Sequence, residues 1–180
     1  TTERVEVPAR PFATDWTKYV MVPGNARKRH VALEKRLEEL RAYVESSDLN
    51  RVEEGRGSRG YITSSAAYHY VRECFPDAPV LKLAFAHPLC VDRIRTFVGG
   101  LDEAVVVEEL DPFFETLLRA EGIAVRGKHA SFRLGELKPE LIPALVEGRE
   151  RDEPQRAMRP PQLCKGCPHR LTFKALNELG

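Results

Sequence analysis

Several common architectures are ruled out by what the sequence has little of. It holds two methionines and one tryptophan. It has no apolar run near the roughly 20 residues needed to cross a bilayer, and no basic stretch followed by an apolar one at its start. Neither a membrane span nor a secretory leader is expected, and the sequence reads as cytoplasmic. Net charge is equally scarce: 28 Lys and Arg offset 27 Asp and Glu to leave +1. No global field would therefore draw the chain to nucleic acid or to an acidic membrane. Four cysteines in 180 residues are too few for a disulfide scaffold. What is present is a 42% hydrophobic content, enough for a real core in one domain with some chain to spare. Thr1 stands where an initiator methionine would, and the expectation is a piece of a longer polypeptide.

The pattern along the chain supports an α/β reading. Residues 1–22, with Pro8, Pro11 and Trp16, lack a steady apolar period and are expected to form an extended lead-in segment. From residue 23 the periodicity becomes helical: Asn25 is a candidate N-cap, and Leu33, Leu37, Leu40 and Val44 recur at helical spacing. Arg27, Lys28, Arg29 and His30 fall in the first turn of that amphipathic helix, where cations oppose the dipole; they read mainly as a solvated face. Apolar runs near 60–64, 80–86, 104–109 and 123–127 alternate with helical patterns and close with a helix from Glu140 to Val146. Runs such as Val80 to Phe85 and Ala104 to Val107 are apolar on successive residues, as strands covered on both faces must be. The expected fold is a three-layer α/β domain with a mainly parallel sheet, over residues 23–148 including the leading helix. Residues 149–160 have linker composition, and 161–180 begin a further unit with a new helix.

Cys164 and Cys167 form the short motif with most chemical content. Two residues between cysteines let both thiolates reach one metal or iron–sulfur cluster, and Gly166 allows the tight turn between them. Only half a four-ligand site is visible, because Cys74 and Cys90 fall in the other unit. A redox dithiol and a pair of small buried cysteines remain open readings. His169 follows at the same turn as a possible ligand, acid or base. Haem attachment is rejected, since Pro168 separates Cys167 from His169.

Elsewhere, His87 ends one expected strand and Glu108 and Glu109 end the next. Asp111-Pro112 reads as N-cap and first helical residue, so these acids read first as stabilising the start of that helix, with a role in a site or interface as the alternative. Thr63, Ser64 and Ser65 could meet an anion at a strand-to-helix turn. No G-x-S-x-G elbow surrounds them, so serine hydrolase chemistry has no support. Gly55, Gly57 and Gly60 match the letters of a dinucleotide fingerprint but precede a strand instead of following one, and they read as a turn.

Five segments together carry a family resemblance: Tyr19 to His30, Gly60 to Ser65, Val80 to Leu83, Val106 to Phe113, and above all Arg159-Pro-Pro-Gln-Leu-Cys-Lys-Gly-Cys-Pro-His-Arg170. The chain resembles the alpha subunits of indolepyruvate:ferredoxin oxidoreductases, within the 2-oxoacid:ferredoxin oxidoreductases. The resemblance implies that residues 23–148 take a fold like the transketolase C-terminal domain, and that 161–180 open a thiamine pyrophosphate-binding domain. It implies a parent enzyme that oxidatively decarboxylates aryl pyruvates to acyl-CoA with ferredoxin as acceptor, using thiamine pyrophosphate, magnesium and 4Fe-4S clusters. By the same resemblance Cys164 and Cys167 are candidate cluster ligands, and His169 is a candidate for contact with thiamine. The implied partners are the thiamine domains of the same chain, a second (beta) subunit and ferredoxin, with no nucleic acid and no membrane. This piece alone is expected to be an inactive scaffold that binds no cofactor by itself. The alternative is a free-standing anion- or metal-binding α/β module.

Overall fold

The computed structural model describes residues 7–152 and 162–179. Residues 1–6 of the expected lead-in, most of the expected linker, and Pro160 and Pro161 lie outside them. The lead-in is not extended throughout: α1 (Trp16–Tyr19) forms one turn, started by Asp15, whose side chain accepts from the Lys18 amide and the Thr17 hydroxyl.

The leading helix α2 spans Pro23–Ser46. Asn25 is not its N-cap. Pro23 occupies the first turn, where a missing N–H costs nothing, so the helix begins before Asn25, and the Asn25 side-chain Nδ2 donates back to the Val20 carbonyl instead. The cluster from Arg27 to His30 consequently sits beyond the first turn.

Four strands form one sheet in the order β1-β3-β2-β4. The edge strand β1 (Arg51–Glu53), not foreseen from the sequence, runs antiparallel to β3. The central strand β2 (Arg59–Ser64) leads into α3 (Ser65–Cys74) and then β3 (Val80–Leu83), which pairs with it in parallel. From β3 the chain passes through α4 (Val91–Gly99) to β4 (Glu103–Val107), parallel to β2 on its other side. Next come α5 (Phe113–Ala120), a 3-10 turn at Ala130–Arg133, a second at Pro139–Leu141, and α6 (Ile142–Val146). A last helix, α7, covers His169–Leu179.

Each face of the sheet is buried, which is why β2, β3 and β4 read as nearly continuous apolar runs. On one face Ile62, Leu81 and Val106 pack with Val44 of α2, Ile94 of α4 and Leu118 of α5. On the other, Tyr61, Val80 and Val105 pack with Val71 of α3 and with Ile142 and Leu145 of α6. Each such aliphatic side chain contributes about 1.5–3 kcal/mol, and together they hold three layers in place. The expected three-layer, mainly parallel α/β fold is borne out.

The strand expected at 123–127 is reduced to one bridge. The Arg126 amide donates to Ala104 and its carbonyl accepts from Val106, both at 2.8 Å, and no further ladder forms around Arg126. The run expected at 80–86 ends at Leu83 because the next amide, on Ala84, is taken by the buried Asn50 side chain at 2.8 Å. The run expected at 104–109 ends at Val107, where Glu108 is diverted to a cap described below.

The glycine loop lies at the amino end of β2, the wrong end for a dinucleotide site. A Cβ on Gly55 would come 2.3 Å from the Ala78 carbonyl carbon, and one on Gly60 would meet Leu101, so these glycines allow close packing.

Candidate functional site

Cys164, Cys167 and His169 are brought together by a short turn. Gly166 adopts a positive φ of 85°, a region costly for residues with a Cβ. That turn lets the Cys167 amide donate to the Cys164 carbonyl at 3.0 Å. The Arg170 amide in turn donates to Cys167, starting α7. His169 Nδ1 lies 3.5 Å from Cys167 Sγ. Both cysteines are free, Cys164 exposed and Cys167 half-buried, so their sulfurs are open to a soft metal or to a thiol reagent.

The other two cysteines differ in kind. Burial pushes the Cys90 thiol up to about 11, and Cys74, also raised chiefly by burial, donates to the Pro139 carbonyl. Neither is a ready thiolate. Among the described residues no group of three or more His, Cys, Asp or Glu is placed to hold a metal. As a donor set for an iron–sulfur cluster, the turn therefore fits as two thiolates of the usual four, the remainder having to come from elsewhere.

A second locus lies at the carboxyl ends of β2 and β4. Their outgoing connections leave in opposite directions, one through α3 to β3 and the other through α5 toward Arg126. This is the topological switch point, where open α/β sheets receive ligands. Thr63 is fully buried there, and its Oγ1 has no hydrogen-bond partner among the described residues. Ser65 takes a strained φ of 51° and Leu110 one of 53°. Ser64 precedes α3 without a side-chain capping bond.

Across the crevice Glu108, 6% exposed, accepts from the Phe114 amide at 2.7 Å and the Glu115 amide at 3.2 Å. Burial raises its carboxyl above the ordinary carboxylate value despite those donors. The expectation that Asp111 caps α5 is corrected: Glu108 reaches over the loop to the free amides and Asp111 stays exposed. Lys128 closes the loop, its ammonium donating to the carbonyls of Glu108 at 2.9 Å and Asp111 at 3.3 Å, and its own burial lowers its pKa. Glu109 and His87 are exposed. Lys128 was missed from the sequence, and no local signal marks it, because it acts on a carbonyl 20 residues away. Here the acids work as structure, and no nucleophile stands among them.

No protein-family profile matches the chain. It is 34% identical to indolepyruvate oxidoreductase subunit IorA of Archaeoglobus fulgidus over 97% of its own length and 32% of that protein's. With the same subunit of Methanothermobacter thermautotrophicus it is also 34% identical, over 93% of the chain and 31% of the relative. The chain thus spans about a third of the length of the curated relatives it matches. Among solved structures, 2-oxoglutarate:ferredoxin oxidoreductase from Magnetococcus marinus, with 2-oxoglutarate, coenzyme A and succinyl-CoA bound, superposes with a TM-score of 0.53 at 21% identity. That match covers 71% of this chain and 23% of that one and supports the fold assignment. Among the described residues no helix is long and apolar enough to cross a membrane.

Proposed function

We propose, taking kinship with the indolepyruvate oxidoreductase subunit IorA as the premise, that this chain is an interior part of a thiamine-dependent, ferredoxin-linked enzyme that oxidises aryl pyruvates to acyl-CoA. Residues 1–22 lead in, 23–148 form the scaffold, 149–160 link, and 161–180 begin the thiamine pyrophosphate-binding unit. The scaffold contributes subunit contacts to a beta partner and to the remaining thiamine domains, and has no turnover of its own. The observation that carries the reading is the match along 97% of this chain to only 32% of its relative.

In that setting bound thiamine pyrophosphate with magnesium would supply the carbanion chemistry of decarboxylation, and 4Fe-4S clusters the single-electron path to ferredoxin. Cys164 and Cys167 would hold one such cluster by two thiolates, with the Gly166 turn fixing their spacing. His169, whose Nδ1 lies 3.5 Å from Cys167 Sγ, would orient that sulfur and is the candidate for contact with thiamine.

The test has two parts. Purified chain offered indolepyruvate, thiamine pyrophosphate, magnesium, coenzyme A and ferredoxin should show no reduction of ferredoxin, and it should contain no stoichiometric zinc. Both thiols of the turn should react with a thiol reagent at pH 8 while Cys90 resists. In the longer parent polypeptide, Cys164→Ser should lower iron content and ferredoxin reduction together. Stoichiometric zinc on the purified chain, or turnover by it unaided, would refute the proposal, zinc in favour of a free-standing metal-binding module.

A further inference from the structure

The seam of α2 is longer than the core it serves. Leu33, Leu37, Leu40 and Val44 follow one another at four-three-four spacing, the register that keeps side chains along one face of a helix. Val44 is buried against the sheet and Leu40 packs beside it. Leu33 is 44% exposed, so the amino-terminal half of the seam has no part of the core to cover it. α1 lies alongside that half, held by the Asn25 side-chain Nδ2, which donates to the Val20 carbonyl at 2.9 Å. Between the two helices runs a groove of about 520 Å³.

The groove has a definite chemistry. Its floor is Tyr19, 70% exposed, with Met21 and Leu33. No carboxylate lines it, and besides Tyr19 the ionisable side chains that frame it are Lys18, Arg29, His30 and Arg36. Among the described residues Lys18, Arg29 and Arg36 form no salt bridge, although the chain as a whole is nearly neutral. Lys18 overlies the Tyr19 ring and Arg29 approaches the Lys18 carbonyl; Asp15 feels the Arg29 charge, but its carboxylate is engaged by Thr17 and Lys18 of its own turn and does not line the groove.

Arg29 and Arg36 are seven residues apart on one helix, roughly 10 Å along its axis. One small anion could meet both only if the two long side chains converged, whereas a strip of protein carrying carboxylates beside apolar side chains spans that distance directly. We propose that the groove between α1 and α2 is a docking site for an acidic protein segment with leucine-type anchors, laid along the free half of the α2 seam. This stands whether or not the chain belongs to an oxidoreductase.

The probe is a synthetic helical peptide of about 20 residues with a leucine seam flanked by glutamates, titrated into the 180-residue chain. Its counterpart carries lysine at the flanks. The glutamate peptide should bind and shift the amide signals of residues 18–37, while the lysine peptide should not. R29E/R36E should weaken binding about tenfold or more. K35E/R41E, which changes charge by the same amount on the same helix outside the groove, should stay within about twofold. L33S should also weaken binding, by removing the anchor contact. Circular dichroism checks that each variant keeps its helices. Equal losses from the two charge-reversed pairs would overturn the proposal, as would equal binding of both peptides or displacement of the peptide by millimolar inorganic phosphate, the mark of a small-anion site.

Discussion

A carboxylate removed from water is costly unless its oxygens find donors, and Glu108 finds two, the amides of Phe114 and Glu115 that α5 cannot satisfy internally. Glu108→Ala should therefore destabilise the fold by about 1–2 kcal/mol, the usual loss of a cap, read from urea unfolding at pH 7. The pH dependence follows from burial. The folded-state value lies above the ordinary carboxylate value that the unfolded chain shows, so the folded state holds a proton the unfolded state has released. The proton-linked part of the Glu108 contribution is accordingly fully present below the ordinary value and is lost as pH rises from there through the raised folded value, which leaves at pH 7 the two capping bonds that Glu108→Ala removes. The unfolding free energy of the wild type minus that of Glu108→Gln should fall across that window, and a flat or rising difference would contradict the assignment.

Among the secondary-structure elements, α2 has no basic residue in its last turn, and local side chains answer only some of its terminal carbonyls, Ser46 those of Ala42 and Tyr43 and Asn50 that of Val44. Arg93 of α4 supplies the charge from outside, donating to the carbonyls of Glu45, Ser47 and Asn50 at 2.7, 2.8 and 2.5 Å. Glu45 returns the favour, its carboxylate accepting from the Asp92 and Arg93 amides at the start of α4. Arg93→Met keeps the length and removes the donors. It should cost about 2–3 kcal/mol and raise amide exchange at 44–50 before it affects β2. This exchange of caps was invisible in the sequence because its members lie more than 40 residues apart. The same holds for β1: Arg51, Val52 and Glu53 give no apolar run, and they become a strand only because β3 offers an edge. The parallel strands were legible, since Val80 to Leu83 and Ala104 to Val107 advertise burial on both faces. The start of α2 was misread because Asn25 reads as the N-cap, whereas Pro23 already stands in the first turn. The Cys164–Cys167 turn was legible from spacing and Gly166 alone, but whatever completes its ligand set is not local and left no trace.

At the scale of the whole molecule, the two faces of the sheet account for the buried core, and α7 contributes no buried residue to it. A segment that buries nothing adds little to the free energy of unfolding, whatever its chemistry. Deleting residues 162–180, and with them both cysteines of the turn, should leave the thermal midpoint within about 2 °C and the denaturant slope nearly unchanged, because none of these described residues through 179 is buried. Calorimetry and urea titration of the shortened chain measure both. A fall of more than about 5 °C would mean that the turn and α7 dock on the sheet layers after all. If the midpoint holds, the fold does not need the cysteine turn, and the exposed Cys164 and half-buried Cys167 are left free for the ligand role proposed for them.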